Sequence, residues 1–168
     1  RAWLEATHPA LHVLSVGRAI DLYKDVGLPI EVANRYGFGQ LRGTHLVGHT
    51  RMATESAVTP ENAHPYTAGE DWCLVHNGSL ANPGSLRRKL EKVGAKFESD
   101  CDTEGACRYI HWRLESGDTL EQALHRAAQF DVADLASQRQ HAGGAPHLAG
   151  HVLVAADRED AHAFEAAL

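Results

Sequence analysis

The feature that most constrains this chain is a set of three short polar segments: Gly48-His49-Thr50-Arg51-Met52-Ala53-Thr54-Glu55, Ala63-His64-Pro65 and Val75-His76-Asn77-Gly78. The first follows the apolar run Leu46-Val47 and the third follows Trp72-Cys73-Leu74-Val75. Apolar strands that end in polar residues suit a buried sheet delivering side chains to one small polar ligand. A strand over residues 44–51 would bring Arg51 to an anion beside the hydroxyls of Thr50 and Thr54. Its guanidinium is a planar fork of donors that pairs bidentately with a carboxylate, the grip an amino-acid head group needs. A lone arginine also serves as one half of a structural ion pair.

Asn77-Gly78 has two physical readings. Asn-Gly is the strongest two-residue hairpin signal, because both positions of a type I′ turn require positive φ. Alternatively, the Asn carboxamide and the Gly N–H are two donors that could converge on one oxygen as an oxyanion hole. Asp100-Cys101-Asp102-Thr103-Glu104 precedes a run of helical period. Asp or Thr there is a good N-cap, and a carboxylate at the same place could receive a substrate ammonium.

In this order, Gly48-His49-Thr50-Arg51-x-Ala53-Thr54, Asn62-Ala63-His64-Pro65, Val75-His76-Asn77-Gly78 and Asp102-Thr103-Glu104 resemble the class II glutamine amidotransferases. The wording around Arg51 and Asn77 is similar to the glutamate-synthase-like branch, including the subunit of N-methylglutamate synthase. It differs at Met52 and Glu55 from the sugar-phosphate-synthase branch, which carries Trp and His there. The resemblance runs from about Val16 to Leu124 and implies an α/β fold, part of the four-layer αββα sandwich of the N-terminal-nucleophile hydrolases. It also implies that Arg51 binds the glutamine α-carboxylate, that Asp102 binds its α-ammonium, and that Thr54 and His64 line the pocket. Asn77 and Gly78 would hold the tetrahedral oxyanion. Ammonia would pass to a synthase subunit or domain of glutamate-synthase type.

The family's nucleophile is an N-terminal Cys whose own α-amino group acts as base. This chain begins Arg1-Ala2-Trp3, and Cys73, Cys101 and Cys107 lie mid-chain without such a base. The expectation is a domain truncated at its N-terminus and inactive alone. A non-catalytic amino-acid-binding module and an assembly domain are the competing classes.

Composition excludes other functions. A net charge of −6 without a Lys/Arg run argues against nucleic acid and against an anionic membrane. No apolar stretch approaches the ~20 residues of a membrane span. Three cysteines without a Cys-x-x-Cys pair fit a reducing compartment, so the cytoplasm is expected. No cofactor is expected, and no metal either, since the twelve histidines include no set that completes a four-ligand pattern.

Periodicity and turn residues predict a strand over 11–16, a helix over 29–36 closed by Gly37, and a loop over 55–71. A strand over 72–76 follows, then a helix opened by Asn82-Pro83, carrying Leu86, Leu90 and Val93 inward and closed by Gly94. A second helix starts at Thr103 with Ala106, Ile110 and Leu114 on one face. A third starts with a capping box at Asp118-Thr119 and buries Leu120, Ala123, Leu124 and Ala127. Tyr109 and Trp112 read as packing residues. The resemblance implies that residues 1–124 form the amidotransferase domain and 125–168 a divergent segment of it, where a strand over 151–156 and a helix over 161–167 are expected. The aromatic, β-rich strand pair with which related chains continue is not legible there.

Overall fold

A computed structural model of the chain describes residues 2–8, 13–43, 46–50, 59–139, 151–156 and 164–167. In chain order the elements are α1 (Ala2–Thr7), α2 (Pro29–Arg35), a 3-10 turn (Phe38–Gln40), β1 (Tyr66–Thr67), β2 (Trp72–Asn77), α3 (Pro83–Lys92), α4 (Asp102–Glu115), α5 (Leu120–Arg139), β3 (His151–Ala156) and β4 (Phe164–Ala167). The four strands form one antiparallel sheet in the order β1-β2-β3-β4. β3 runs the full length of β2, from Trp72 opposite Ala156 to Asn77 opposite His151.

β2 is buried from Trp72 to His76. Trp72 and Leu74, one face of the strand by its period of two, pack on Cys101, Cys107 and Ile110 of the α4 region and on Ala123 and Leu124 of α5. Cys73 and Val75, on the opposite face, are buried as well. A strand covered on both faces belongs inside a layered α/β architecture, as expected. Among the described residues that architecture comprises one four-stranded sheet with helices packed against it.

The helices follow their local signals. Asn82 caps α3 by accepting the Ser85 N–H at 2.9 Å, Pro83 takes the first turn, and Leu86 and Leu90 are buried against Tyr109. Val93, expected inward, is the C-cap and is exposed, because the helix ends before its face returns to the core. Gly94 follows at φ 92° and Gly37 follows α2 at φ 64°, conformations that side chains other than glycine rarely adopt. The capping box of α5 pairs Thr119 with Gln122: Thr119 Oγ1 accepts the Gln122 N–H, and Gln122 Oε1 accepts the Thr119 N–H.

Four expectations need correction. Residues 13–16 form only an isolated bridge, Val16 to Glu70, and 11–12 lie outside the described residues. Thr67 Oγ1 donates to the Leu14 carbonyl, and just beyond the bridge Asp71 Oδ1 accepts the Arg18 and Ala19 N–H groups. Residues 46–50 are not a buried strand, and Leu46 is 86% exposed; a short apolar run does not by itself supply a paired neighbour. The expected loop over 55–71 contains β1, paired with Leu74 and Cys73. Phe164–Ala167 is a strand, not a helix, since pairing with β3 overrides the helical propensity of alanine. With β3 it supplies a strand pair after the third helix, in which Phe164 stands among Val, Leu and Ala residues.

Leu90 is fully buried beneath α4. Leu90→Ala is expected to destabilise the chain by about 2–5 kcal/mol in denaturant unfolding, the usual effect of emptying a packed leucine site. A loss under about 1 kcal/mol would show that α3 does not belong to the cooperative core.

Candidate active site

The C-terminal end of β2 and the N-terminal end of α4 come together at the first turn of α4. There Asp102, Thr103 and Glu104 follow one another and point their side chains to three different neighbours. Asp102 is the first helical residue, and Cys101 before it is the N-cap without a side-chain cap bond. The Asp102 carboxylate therefore does not cap its own helix. Its Oδ2 accepts the Leu80 N–H at 2.9 Å, three residues beyond Asn77. The positive end of the helix dipole favours its charge.

Asn77 closes β2, and neither it nor Gly78 has positive φ. From there the chain runs through Ser79 and Leu80 into α3, and the partners of β2 are β1 and β3. The type I′ hairpin reading is thereby removed. By alternation Asn77 shares a strand face with Cys73 and Val75, whereas His76 shares the helix-covered face with Trp72 and Leu74. Asn77 and Gly78 are both exposed.

Thr103, 1% exposed, is the buried neighbour of Asp102. Its Oγ1 lies 2.9 Å from His64 Nε2 and 3.3 Å from His76 Nδ1. His64 precedes Pro65 through a cis peptide, stacks on His49 with ring centroids 4.3 Å apart, and meets Tyr66 edge-on. His64 and His76 are both buried. Arg51 and Thr54 lie outside the described residues. The described site thus brings Asp102 beside the Asn77–Leu80 segment and His64 behind it.

Residues with no site role expected from the sequence complete this corner: Thr103, His76, His49, the Leu80 N–H and Glu104. A histidine at an inward position of an otherwise apolar strand was the signal available for His76, since a buried imidazole requires a polar partner. Glu104 is 2% exposed, and its carboxylate accepts the Glu98 N–H, the Ser99 N–H and hydroxyl, and the Arg108 guanidinium. Burial acts to raise its pKa, but these donors outweigh it and hold the carboxyl below its ordinary 4.5. Beside it a cavity of about 30 Å³, lined by Lys24, Tyr66, Thr67 and Arg108 among others, has room for a water and none for an amino acid. Burial lowers the Lys24 pKa there, against the attraction of Glu104.

Cys73, Cys101 and Cys107 are buried and in no disulfide, and burial pushes the Cys107 thiol far up, away from the thiolate that nucleophilic attack requires. Among the described residues no group of three His, Cys, Asp or Glu could hold a metal ion, and no helix is long and apolar enough to cross a membrane.

The sequence pattern of the glutamine amidotransferase domain matches residues 49–142, spanning the three polar segments, α3, α4 and α5. The chain belongs to the glutamine amidotransferase family. It is 48% identical over 124 residues to a glutamine amidotransferase-like protein of Rhizobium meliloti, covering 74% of this chain and 41% of that one. It is 35% identical over 112 residues to a glutamine–fructose-6-phosphate aminotransferase of Thermococcus kodakarensis, covering 66% of this chain and 19% of that one. Among solved structures, a glutamine phosphoribosylpyrophosphate amidotransferase from B. subtilis aligns with 62% of this chain and 20% of its own, at 23% identity and a TM-score of 0.42. The chain thus spans about two fifths of the first of these relatives and about a fifth of the other two. The resemblance to class II glutamine amidotransferases read from the motifs is borne out.

The sign of the Glu104 shift sets an acid-stability prediction. Because its folded pKa is depressed, its contribution is complete above the unfolded value of 4.5 and is lost as pH falls through the folded value. Denaturant unfolding between about pH 5 and about pH 3 should show a steeper loss of stability for the wild type than for Glu104→Gln. Equal slopes would place the acid-sensitive carboxylate elsewhere.

Proposed function

We propose that this chain is the glutamine-binding part of a glutaminase that releases ammonia for a partner synthase of glutamate-synthase type. The observation that carries the reading is the bond from Leu80 N–H to Asp102 Oδ2, which holds a carboxylate next to the Asn77-Gly78 segment. Asp102 receives the substrate ammonium with its remaining acceptor capacity, for which a carboxylate has about four lone-pair sites. Arg51 takes the α-carboxylate, and Thr54 and His64 shape the pocket. The Asn77 carboxamide and the Gly78 N–H stabilise the oxyanion that forms when a thiol attacks the side-chain amide carbon. Collapse of that intermediate expels ammonia and leaves a thioester, which water hydrolyses to glutamate.

Cys73, Cys101 and Cys107 do not supply the thiol, since all three are buried and none carries its own α-amino base. Residues 1–168 alone are therefore expected to bind glutamine without hydrolysing it. Three cysteines outside any disulfide suit a reducing compartment, which supports a cytoplasmic setting.

Two measurements test this reading. The chain as it stands should release no more ammonia from glutamine than a heat-killed control, while calorimetry detects glutamine binding that Asp102→Asn weakens by about tenfold or more. Steady ammonia release, or glutamine binding indifferent to Asp102→Asn, overturns the assignment. When a nucleophilic N-terminal cysteine is supplied ahead of the domain, Asn77→Ala should lower kcat by roughly 10²–10³ with KM less changed. A normal kcat in a protein that only melts lower would leave Asn77 as a strand-end residue.

A further inference from the structure

We propose that Thr103 is a positioning residue for the glutamine site: its buried hydroxyl clamps the end of β2 and the His64 turn to the first turn of α4. The proposal rests on the functional reading above. Two of the three groups it joins adjoin residues of that site, His76 next to Asn77 and Thr103 itself next to Asp102, and the third, His64, belongs to the site.

The geometry around Oγ1 is restrictive. His64 Nε2 lies at 2.9 Å, His76 Nδ1 at 3.3 Å, and Asp102 Oδ1 at 3.4 Å, and Thr103 is 1% exposed. A hydroxyl has one proton to donate and two lone pairs to offer. If it donates to His64 Nε2, the shortest of the three contacts, then His76 must present Nδ1–H to it, which fixes one tautomer on each ring. If it donates to His76 Nδ1, His64 must present Nε2–H, and if it donates to Asp102 Oδ1, both imidazoles must present N–H to the oxygen. In each arrangement the protonation of one ring nitrogen constrains the other through a single shared atom.

The mechanical consequence follows from connectivity. Asn77 stands last on β2 and Asp102 first on α4, so their separation depends on how the strand end and the helix N-terminus are held relative to one another. The Leu80 N–H to Asp102 bond ties the loop to the helix on one side of Asn77. The Thr103 to His76 contact ties the strand to the same helical turn on the other side. With both in place, the oxyanion donors and the ammonium acceptor are held from two sides. With Thr103 apolar, only the Leu80 link remains, and two buried ring nitrogens lose a partner.

The test uses Thr103→Val, close to isosteric but without the hydroxyl, and Thr103→Ser, which restores it, in the full chain. Side-chain 15N spectra of histidine-labelled protein report the tautomers, and calorimetry reports glutamine affinity in the folded protein. Thr103→Val is expected to move the ring nitrogen shifts of both His64 and His76 and to weaken glutamine binding by about tenfold. Thr103→Ser should return the ring shifts and bring affinity within about threefold of wild type. If Thr103→Val lowers only the melting temperature, with ring shifts or affinity unmoved, the positioning role is overturned. Should the wild type bind no glutamine while the rings respond as described, the glutaminase reading fails and the positioning role falls with it. Rings that stay put in a chain that does bind glutamine sink the proposal alone. Where Thr103→Val fails to fold, Thr103→Ser and Thr103→Cys decide: affinity must track the ring shifts across the two.

Discussion

The packing of β2 on α4 is the constraint from which the rest of the described structure follows. Trp72 and Leu74 press on Cys107 and Ile110, and Leu74 and Cys107 are fully buried, so strand and helix have little freedom to move apart. That contact fixes where β2 ends relative to where α4 begins. Because Asn77 is the last residue of one and Asp102 the first of the other, a purely apolar interaction sets the separation of two polar groups. The core brings the strand end and the helix terminus together, and the hydrogen bonds of Asp102 and Thr103 then tie them to one another.

The first turn of α4 divides its tasks by helical geometry. Successive residues of a helix are rotated by about 100°, so Asp102, Thr103 and Glu104 face different neighbours without crowding one another. Asp102 reaches the Leu80 N–H, Thr103 reaches the two buried histidines, and Glu104 gathers Glu98, Ser99 and Arg108. Glu104 folds the 98–101 turn against the helix it belongs to, and that turn delivers Cys101 as the N-cap. A buried carboxylate costs stability unless its acceptor sites are filled, and here a guanidinium and three donors from Glu98 and Ser99 fill them.

Much of this was legible from residue order. α2, β2, α3, α4, α5 and β3 appear where Pro, Gly, capping residues and apolar spacing put them, and the capping box of α5 is made by Thr119 and Gln122. Elements that depend on a distant partner were not legible. Phe164–Ala167 has the composition of a helix and becomes a strand because β3 offers an edge. Residues 13–16 look like a strand and make only one bridge, Val16 to Glu70, while the Thr67 hydroxyl takes the Leu14 carbonyl that a ladder would use. The Thr103 contacts escaped for the same reason: His64, His76 and Thr103 are far apart in sequence, and no local pattern says that one hydroxyl will serve two rings.

Asn77-Gly78 shows how a local signal and a tertiary one are separated. The dipeptide is compatible with a hairpin only if both residues take positive φ and the chain turns back along the same strand. Neither condition holds, and the reason is upstream and downstream of the dipeptide. β1 and β3 already flank β2, so a returning strand would have no edge to join. Meanwhile Leu80 is drawn to Asp102 and Asn82 starts a helix four residues after Gly78, so the segment leaves the sheet toward the α4 terminus. An Asn-Gly step that ends a buried strand without turning keeps its carboxamide and N–H available for something other than the hairpin ladder, on the strand face away from the helical layer. The preference for Gly at the second position then has a different physical basis: without a Cβ, the backbone N–H can be approached closely by another atom.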